Sequence, residues 1–275
     1  MQQQHSICDF AGSDSWVILS EIEQSIKRKI EAVGTPLKDW DIQINYGIKT
    51  GYNDAFIIST EKRDEILANC ATEDERQRTA ELIRPILRGR DIKRYGYDWA
   101  GLWLINTHNG VKGVMPRIDI EEYPAVKQHL DKYWDKISKR ADKGDTPYNL
   151  RNCAYVDDFS RPKIIYPETT QGAFFVYDNN RFFLDKTCFM MVTPYAAFLQ
   201  SVLSSKLYEY AYKKMFSSVE IGAQGYQYNK HALIKLPVLY DLNLITKSIS
   251  DNELYQLYSL TIDEIQHIEK SESTD

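Results

Sequence analysis

The sequence lacks several features that would place it in a common class of protein. No run of about 20 apolar residues, the length a helix needs to cross a bilayer, occurs in it. Its start, MQQQH, has neither the basic residues nor the apolar centre of a secretory signal. The four cysteines lie far apart and form no Cys-x-x-Cys pair, which argues against a zinc site or a disulfide framework. We therefore expect a cytoplasmic protein with reduced thiols and no membrane partner.

The motifs of familiar enzymes are also missing. The Gly-rich cofactor loop and the Asn/Asp-Pro-Pro-aromatic motif of adenine and cytosine methyltransferases are absent, and so are the P-loop, His-Glu-x-x-His and Gly-x-Ser-x-Gly. The tripeptide Asp91-Ile92-Lys93 fits the acid-x-Lys half of a metal-dependent nuclease site, which needs a second, converging group of acids. We expect no catalytic residue, no metal and no cofactor in this chain.

What the sequence does contain indicates a folded domain. Hydrophobic residues make up 43% of the 275, enough for a substantial core, and 19 Tyr with 5 Trp suit binding surfaces as well as cores. The net charge of −5 is unevenly distributed: seven acids against Lys270 give residues 251–275 a charge of −6, which leaves +1 for the first 250 residues. A basic face on the main body is therefore compatible with the acidic total.

Hydrophobic periodicity predicts helices mixed with short strands. From Ser15 to Val33 apolar residues recur every three or four positions, which predicts a helix that Gly34 and Pro36 end. Alternation of polar and apolar residues predicts a strand hairpin at 41–58, with a glycine-flanked tip at 47–53. Further segments are predicted as helices at 64–82, 124–140, 195–215 and from Ser250 onward, and as strands at 102–105, 163–166, 174–177 and 181–192.

The irregular order of these segments predicts an α+β fold with a mixed, largely antiparallel sheet, flanking helices and a C-terminal helix. We divide the chain into a flexible N-terminal segment at 1–14, a main domain at 15–240 and a C-terminal helical segment with an acidic tail at 241–275. The apolar stripe of the C-terminal helix is too short for a coiled coil, which favours docking on the main domain.

A basic segment is the strongest sign of a binding surface. Between Arg84 and Arg94 the chain places five cations against the single acid Asp91. Two tyrosines follow, and the nearby glycines Gly89 and Gly96 allow the backbone to approach a phosphate closely. Guanidinium groups form paired hydrogen bonds with phosphate oxygens and with the guanine edge. A solvated turn is the alternative, but the combination of cations, tyrosines and glycines favours contact with DNA.

Three segments in order resemble one known family: GIKTGYNDAF at 47–56, LRGRDIKRY at 87–95 and RPKIIYP at 161–167. They resemble the TaqI-like C-terminal specificity domain of type IIG restriction-modification enzymes and related phage-defence adenine methyltransferases. LSSKL at 203–207 and LPV at 236–238 are similar to two later family segments, although Ser204 replaces the usual Asn. The segment at 146–151 departs from the family's Trp-Tyr-Glu-like pattern, which leaves the role of that loop open.

This resemblance implies a target-recognition domain that reads a short sequence in double-stranded DNA and places an adenine in an N6-adenine methyltransferase domain elsewhere. S-adenosylmethionine and Mg²⁺ are then expected only in the parent protein. We predict phosphate or backbone contacts from Lys49, Arg88, Lys93 and Arg94. We predict base contacts from Asn53, Arg90 and Gln171. We predict stacking or packing at the groove edge by Tyr52, Tyr95 and Tyr226.

Two other functions stay open on the sequence alone. The first is a protein-interaction scaffold whose aromatic grooves bind a partner subunit. The second, less favoured, is a standalone metal-dependent nuclease built on the Asp91 tripeptide. Salt-dependent binding to duplex DNA distinguishes the specificity domain from the scaffold, and metal-dependent cleavage by the purified chain would favour the nuclease.

Overall fold

A computed structural model of the chain describes residues 19–216 and 225–272. The predicted flexible segment at 1–14 lies outside these residues. The helices are α1 Glu21–Val33, α2 Asn53–Phe56, α3 Thr60–Ala68, α4 Glu73–Leu82, α5 Pro124–Asp131, α6 Trp134–Ile137, α7 Ala196–Leu203, α8 Lys206–Ala211, α9 Lys230–Leu233, α10 Asp251–Leu257 and α11 Ile262–Glu272. The strands are β1 Gly34–Pro36, β2 Gln43–Tyr46, β3 Ile57–Ser59, β4 Ile83–Leu87, β5 Ile92–Lys93, β6 Gly96–Tyr97, β7 Leu102–Ile105, β8 Lys163–Pro167, β9 Thr169–Thr170, β10 Val176–Asp178, β11 Phe183–Leu184, β12 Cys188–Val192, β13 Tyr226–Gln227 and β14 Pro237–Leu239.

Two four-stranded sheets organise the described residues. The first has the order β10-β8-β12-β2 and is antiparallel throughout. The second has the order β11-β4-β7-β3, in which β11 runs parallel to β4 and the other pairs are antiparallel. Three short antiparallel pairs, β1-β14, β9-β13 and β5-β6, complete the sheets. The predicted α+β class with a mixed, largely antiparallel sheet is confirmed.

The first sheet separates two hydrophobic cores. Successive side chains of a strand point to opposite faces, so Ile164 and Tyr166 enter one core while Ile165 between them enters the other. On β12, Met191 and Met190 divide in the same way. The first core also holds residues of α1, α7, α8 and the C-terminal helices, and the second holds the β4-β7-β3 sheet with α2 and α5.

Local capping defines the start of α1. The Ser20 hydroxyl accepts a hydrogen bond from the Glu23 backbone N–H, and the Glu23 carboxylate accepts one from the Ser20 N–H. Gly34 follows the helix as predicted, with extended backbone that enters β1. Other predicted helices are interrupted: 64–82 forms α3 and α4, 124–140 forms α5 and α6, 195–215 forms α7, α8 and a π-turn at 212–216, and the C-terminal helix forms α10 and α11.

The predicted hairpin at 41–58 is wrong. Its two strands do form, but β2 pairs with β12 and β3 pairs with β7, in different sheets. The intervening residues turn away because Ile48 donates its backbone N–H to the Leu184 carbonyl, 2.7 Å away. Alternation along the chain indicates a half-buried strand, but it carries no information about the strand's partner.

The C-terminal helices pack on α1 and α8. The Glu264 carboxylate on α11 accepts hydrogen bonds from Lys29, at 2.7 Å, and from Ser25, at 2.8 Å, both on α1. Ile268 of α11 is fully buried in the first core, and Asp251 accepts a hydrogen bond from the Lys206 N–H that begins α8. Helices α10 and α11 thus pack on the first core, whereas the β4-β7-β3 sheet belongs to the second core.

Candidate nucleic-acid interface

The tight turn Asp185–Cys188 joins the two glycine-containing segments that the sequence singled out. The Gly47 N–H donates to the Cys188 carbonyl, 2.9 Å away, and the Gly89 N–H donates to the Thr187 hydroxyl, 2.8 Å away. The segments beginning at Gly47 and at Arg88 therefore flank the same turn, although some 40 residues of sequence separate them.

Glycine is required at the first of these contacts. A Cβ atom on Gly47 would lie 1.9 Å from the Asp185 carbonyl oxygen, a distance that no side chain tolerates. On Gly89 a Cβ would lie 3.0 Å from the Thr187 hydroxyl, close but accessible to a small shift. A close approach to a phosphate was predicted for Gly89 and Gly96. Gly89 instead closely approaches the Thr187 hydroxyl of the protein itself, and a Cβ on Gly96 would meet no atom of the described residues within 4 Å.

Two more segments join the same turn on its other side. The Glu168 N–H donates to the Thr187 carbonyl, and the Tyr228 N–H donates to the Glu168 carbonyl, each over 2.9 Å. Strand β13 then pairs with β9 through Tyr226 and Thr170. Hydrogen bonds thus connect five segments, which we call the turn surface: residues 47–53, 88–97, 168–172, 185–188 and 226–228.

The turn surface contains all ten residues predicted to contact DNA, and their side chains fall into two groups. Those that are exposed are Asn53, Arg90, Lys93, Tyr95 and Gln171. Those that are half-buried are Lys49, Tyr52, Arg88, Arg94 and Tyr226. Because ligand contact needs accessible atoms, the first group is the better placed for contact with a duplex.

Arg88 is engaged within the protein. Its guanidinium group forms two hydrogen bonds with the Asp91 carboxylate, at 2.7 and 3.0 Å, and its side chain is 23% exposed. Burial alone would raise the pKa of Asp91, but the hydrogen bonds and charge of Arg88 hold that pKa below its ordinary value. This ion pair shapes the turn, so Arg88 offers a phosphate less than its charge suggests.

Arg90 and Lys93 face outward beside this pair. The Lys93 ammonium group donates to the Arg90 carbonyl, 2.7 Å away, and retains donors for another partner. The Arg90 side chain makes no hydrogen bond or ion pair with any residue that the structure describes. Its fork of donors is therefore available to a base edge or a phosphate.

The β5-β6 hairpin projects Tyr95 from the turn surface. Its two-residue loop is Arg94-Tyr95, and Arg94 forms an ion pair over 3.0 Å with Glu209, which is buried on α8. Glu209 also pairs with Lys213 over 2.9 Å, and the Lys213 ammonium lies 5.1 Å from the centre of the Tyr226 ring. One buried carboxylate thus joins the hairpin to the neighbourhood of β13.

A hydrogen bond from a buried arginine helps to fix the segment at 47–53. Arg140 is buried and donates to the carbonyl of Thr50, while Thr50 donates through its hydroxyl to the Asn53 side chain. Burial lowers the pKa of Arg140 to about 10, so it remains charged at neutral pH. Lys49 lies over the Tyr46 ring, with 5.1 Å between its ammonium and the ring centre. The Tyr52 ring packs 6.1 Å from that of Tyr133.

Sequence reasoning missed three residues of this region. Lys186 is exposed at the centre of the turn surface, but the expected strand at 181–192 concealed the turn that presents it. The Asp-Lys-Thr triplet at 185–187 is a turn signal that could have revealed it. Glu209 and Arg140 carried no such signal, because their partners lie 115 and 90 positions away in the sequence.

The described residues offer little support for the other functions. Within 19–216 and 225–272 no group of three or more His, Cys, Asp or Glu side chains could hold a metal ion. Asp91, the acid of the nuclease-like tripeptide, is paired with Arg88. No helix in these ranges is both long and apolar enough to cross a bilayer. An open cleft of about 760 Å³ lies outside the turn surface, lined by residues 109–117, 145 and 152–154.

The fold of the chain is similar to that of part of a known restriction enzyme. The chain superposes on part of the type IIG restriction endonuclease BpuSI with a TM-score of 0.52 and 17% sequence identity, over 87% of this chain and 28% of that one. The family follows from the sequence itself. Residues 84–238 match the model of the TaqI-like C-terminal specificity domain, and the chain belongs to this family.

Two curated relatives agree with this assignment. The chain is 22% identical over 228 residues to the Type II methyltransferase M.BstVI of Geobacillus stearothermophilus, a match that covers 78% of this chain and 38% of that protein. It is 23% identical over 177 residues to the Type II methyltransferase M.PaeR7I of Pseudomonas aeruginosa, covering 62% of this chain and 28% of that protein. The chain thus spans well under half the length of these relatives.

Proposed function

We propose that this chain reads a short sequence in double-stranded DNA and positions a target adenine for an N6-adenine methyltransferase domain of a type IIG-like restriction-modification protein. Membership of a specificity-domain family and relatives named as type II methyltransferases support this role. In this proposal S-adenosylmethionine and Mg²⁺ belong to the catalytic parts of the parent protein. This chain supplies binding energy and specificity.

The observation that carries the proposal is the convergence of five segments on the Asp185–Cys188 turn. The turn surface carries four cations: Lys49, Arg90, Lys93 and Lys186. Amide side chains that suit adenine accompany them: Asn53 and Gln171. Cations that contact phosphates and amides that contact bases are the two kinds of group that DNA recognition combines.

The test is binding of the full chain to labelled duplexes at increasing salt, with the preferred sequence selected from random duplexes. Three phosphate contacts, from Lys49, Lys93 and Lys186, predict that log K falls with log salt with a slope of about −3. Lys186→Gln should reduce this slope by about one. Lys247→Gln should leave it unchanged, because Lys247 is exposed beyond β14 and belongs to none of the five segments of the turn surface.

The same experiment contains its refutation. Absence of duplex binding even at low salt would refute the proposal and favour a protein-interaction scaffold. Binding without any selected sequence would leave a nonspecific DNA-binding domain and would refute the recognition role.

A further inference from the structure

Tyr95 is the most exposed of the large hydrophobic side chains in the described residues, at 92% of its full accessible surface. Its ring lies near one cation, the Arg94 guanidinium, 5.8 Å from the ring centre. No other aromatic ring of the described part lies against it. Removing a tyrosine ring from water is favourable in free energy. Because the Tyr95 ring is exposed at a hairpin tip, a ligand that covers it would gain this free energy on binding.

The hairpin beneath Tyr95 is braced on several sides. Arg94 pairs with the buried Glu209, and the Asp98 N–H donates to the Asp91 carbonyl, 2.8 Å away. The Tyr97 hydroxyl accepts a hydrogen bond from the Asn180 side chain over 2.6 Å. Its ring also packs against Phe182, with 5.0 Å between ring centres. The tip is thus held in place while the ring it carries has no protein surface to cover.

The surroundings of the ring match nucleic acid better than a protein surface. Arg90, Lys93 and Arg94 supply cations within a few residues, while Asp91 and Glu209, the acids among them, are engaged in ion pairs. Asp98, the remaining acid, lies at the base of the hairpin after β6. Protein interfaces are depleted in lysine, whereas the exposed Lys93 and Arg90 beside this ring suit the phosphates of nucleic acid.

We propose, building on the DNA-recognition role, that Tyr95 enters the base stack of the bound duplex and separates two neighbouring base pairs. Proteins that insert a side chain in this way unstack a base step and kink the DNA. A methyltransferase must also extrude its target base, and a ring placed in the stack stabilises a locally opened duplex. The cations on either side hold the phosphates while the ring enters.

The test measures DNA unwinding, which requires no knowledge of the recognised sequence. Relaxed plasmid is incubated with the full chain and a type I topoisomerase at low salt, and the change in linking number per bound molecule is determined. The wild-type chain should unwind the plasmid. Tyr95→Ala should abolish unwinding and weaken duplex binding by roughly 5- to 150-fold, the range for loss of one stacked base, with an unchanged salt slope.

Two matched variants complete the experiment. Tyr95→Phe keeps the ring and should keep unwinding. Trp134→Ala removes a ring that is 44% exposed on α6, outside the turn surface, and should also leave unwinding intact. Wild-type binding without unwinding, or unwinding that persists in Tyr95→Ala, would overturn the insertion. Absence of wild-type duplex binding would instead refute the DNA-recognition role itself. A Tyr95→Ala variant that binds and unwinds DNA normally but loses a methyltransferase partner would assign the ring to a protein contact.

Discussion

Lys163 and Asp178 form an ion pair from which water is excluded, with 2.6 Å between Nζ and Oδ2 and neither side chain exposed. The ammonium also donates to the Phe159 carbonyl over 2.7 Å. The carboxylate accepts hydrogen bonds from the backbone N–H groups of Asn180 and Phe182. The pair therefore stabilises the β8-β10 pairing and the turn that leads into β11. Strand β11 directly precedes the Asp185–Cys188 turn.

Asp178→Asn should destabilise the protein by about 3–5 kcal/mol, because it leaves the Lys163 ammonium buried without a countercharge. Urea unfolding followed by circular dichroism measures this change. Glu31→Gln makes the same chemical change in the exposed Lys27–Glu31 pair and should cost about 1 kcal/mol or less. An equal loss of unfolding free energy in the two variants would contradict the claim that burial makes the Lys163–Asp178 pair the more costly one to break.

Replacement by alanine should lower the stability of the protein at Gly47 and change it little at Gly96. Gly47→Ala places a Cβ against the Asp185 carbonyl, so we expect about 1–3 kcal/mol of destabilisation and weaker duplex binding. In Gly96→Ala the new Cβ meets no atom within 4 Å, and its effect should lie within about 1 kcal/mol. Thermal unfolding and duplex titration of both variants check this. A stable, fully binding Gly47→Ala would contradict the backbone contact.

Arg90 and Lys93 should differ in the kind of loss they cause. Arg90→Ala should weaken cognate binding by about 1–3 kcal/mol and relax preference at one base position, because a guanidinium fork reads a base edge. Lys93→Ala should weaken all duplexes alike, as loss of a phosphate contact does. Selection from random duplexes with each variant separates the outcomes. Sequence-blind losses of the same size in both would refute the role of Arg90 as a base reader.

Low pH should reduce the stability that the Arg88–Asp91 ion pair contributes to the folded protein. The pKa of Asp91 is lower in the folded protein than in the unfolded chain. The stabilisation from this group is therefore complete above the ordinary Asp pKa of about 3.9 and is lost as pH falls through the folded pKa. Asp91→Asn should be less stable than wild type at pH 6, with a difference that shrinks toward pH 3. Melting temperatures across that range test this, and a constant difference would contradict it.

Local patterns in the sequence predicted much of the secondary structure but not its connections. Periodicity identified α1 and the strand residues of β2, β7 and β8, since burial on one face follows the geometry of a single element. The error at 41–58 arose where Ile48 bonds to Leu184, a partner some 140 positions away. Such pairing depends on the whole chain, which a window of residues does not contain.

The family resemblance predicted ten residues of the candidate surface. It did not predict the contacts within the protein that join those residues or occupy their side chains. The segments at 47–53 and 88–97 do lie together, but the turn signal at 185–187 does not show that this turn joins them. The sequence predicted that Arg88 and Arg94 contact phosphates, whereas the acids at positions 91 and 209 engage them in ion pairs. The contacts of all ten residues with DNA stay predictions.

The hydrogen bonds that gather the turn surface around 185–188 are donated by backbone N–H groups, and with the exception of the Thr187 hydroxyl the acceptors are backbone carbonyls. Main-chain bonds tolerate a change of side chain wherever the backbone keeps its path. Positions 90, 171 and 186 are consequently free to vary without loss of the frame that presents them. Under the proposed recognition role, a domain assembled in this way would allow new target sequences to arise by single substitutions at those outward positions, one base pair at a time.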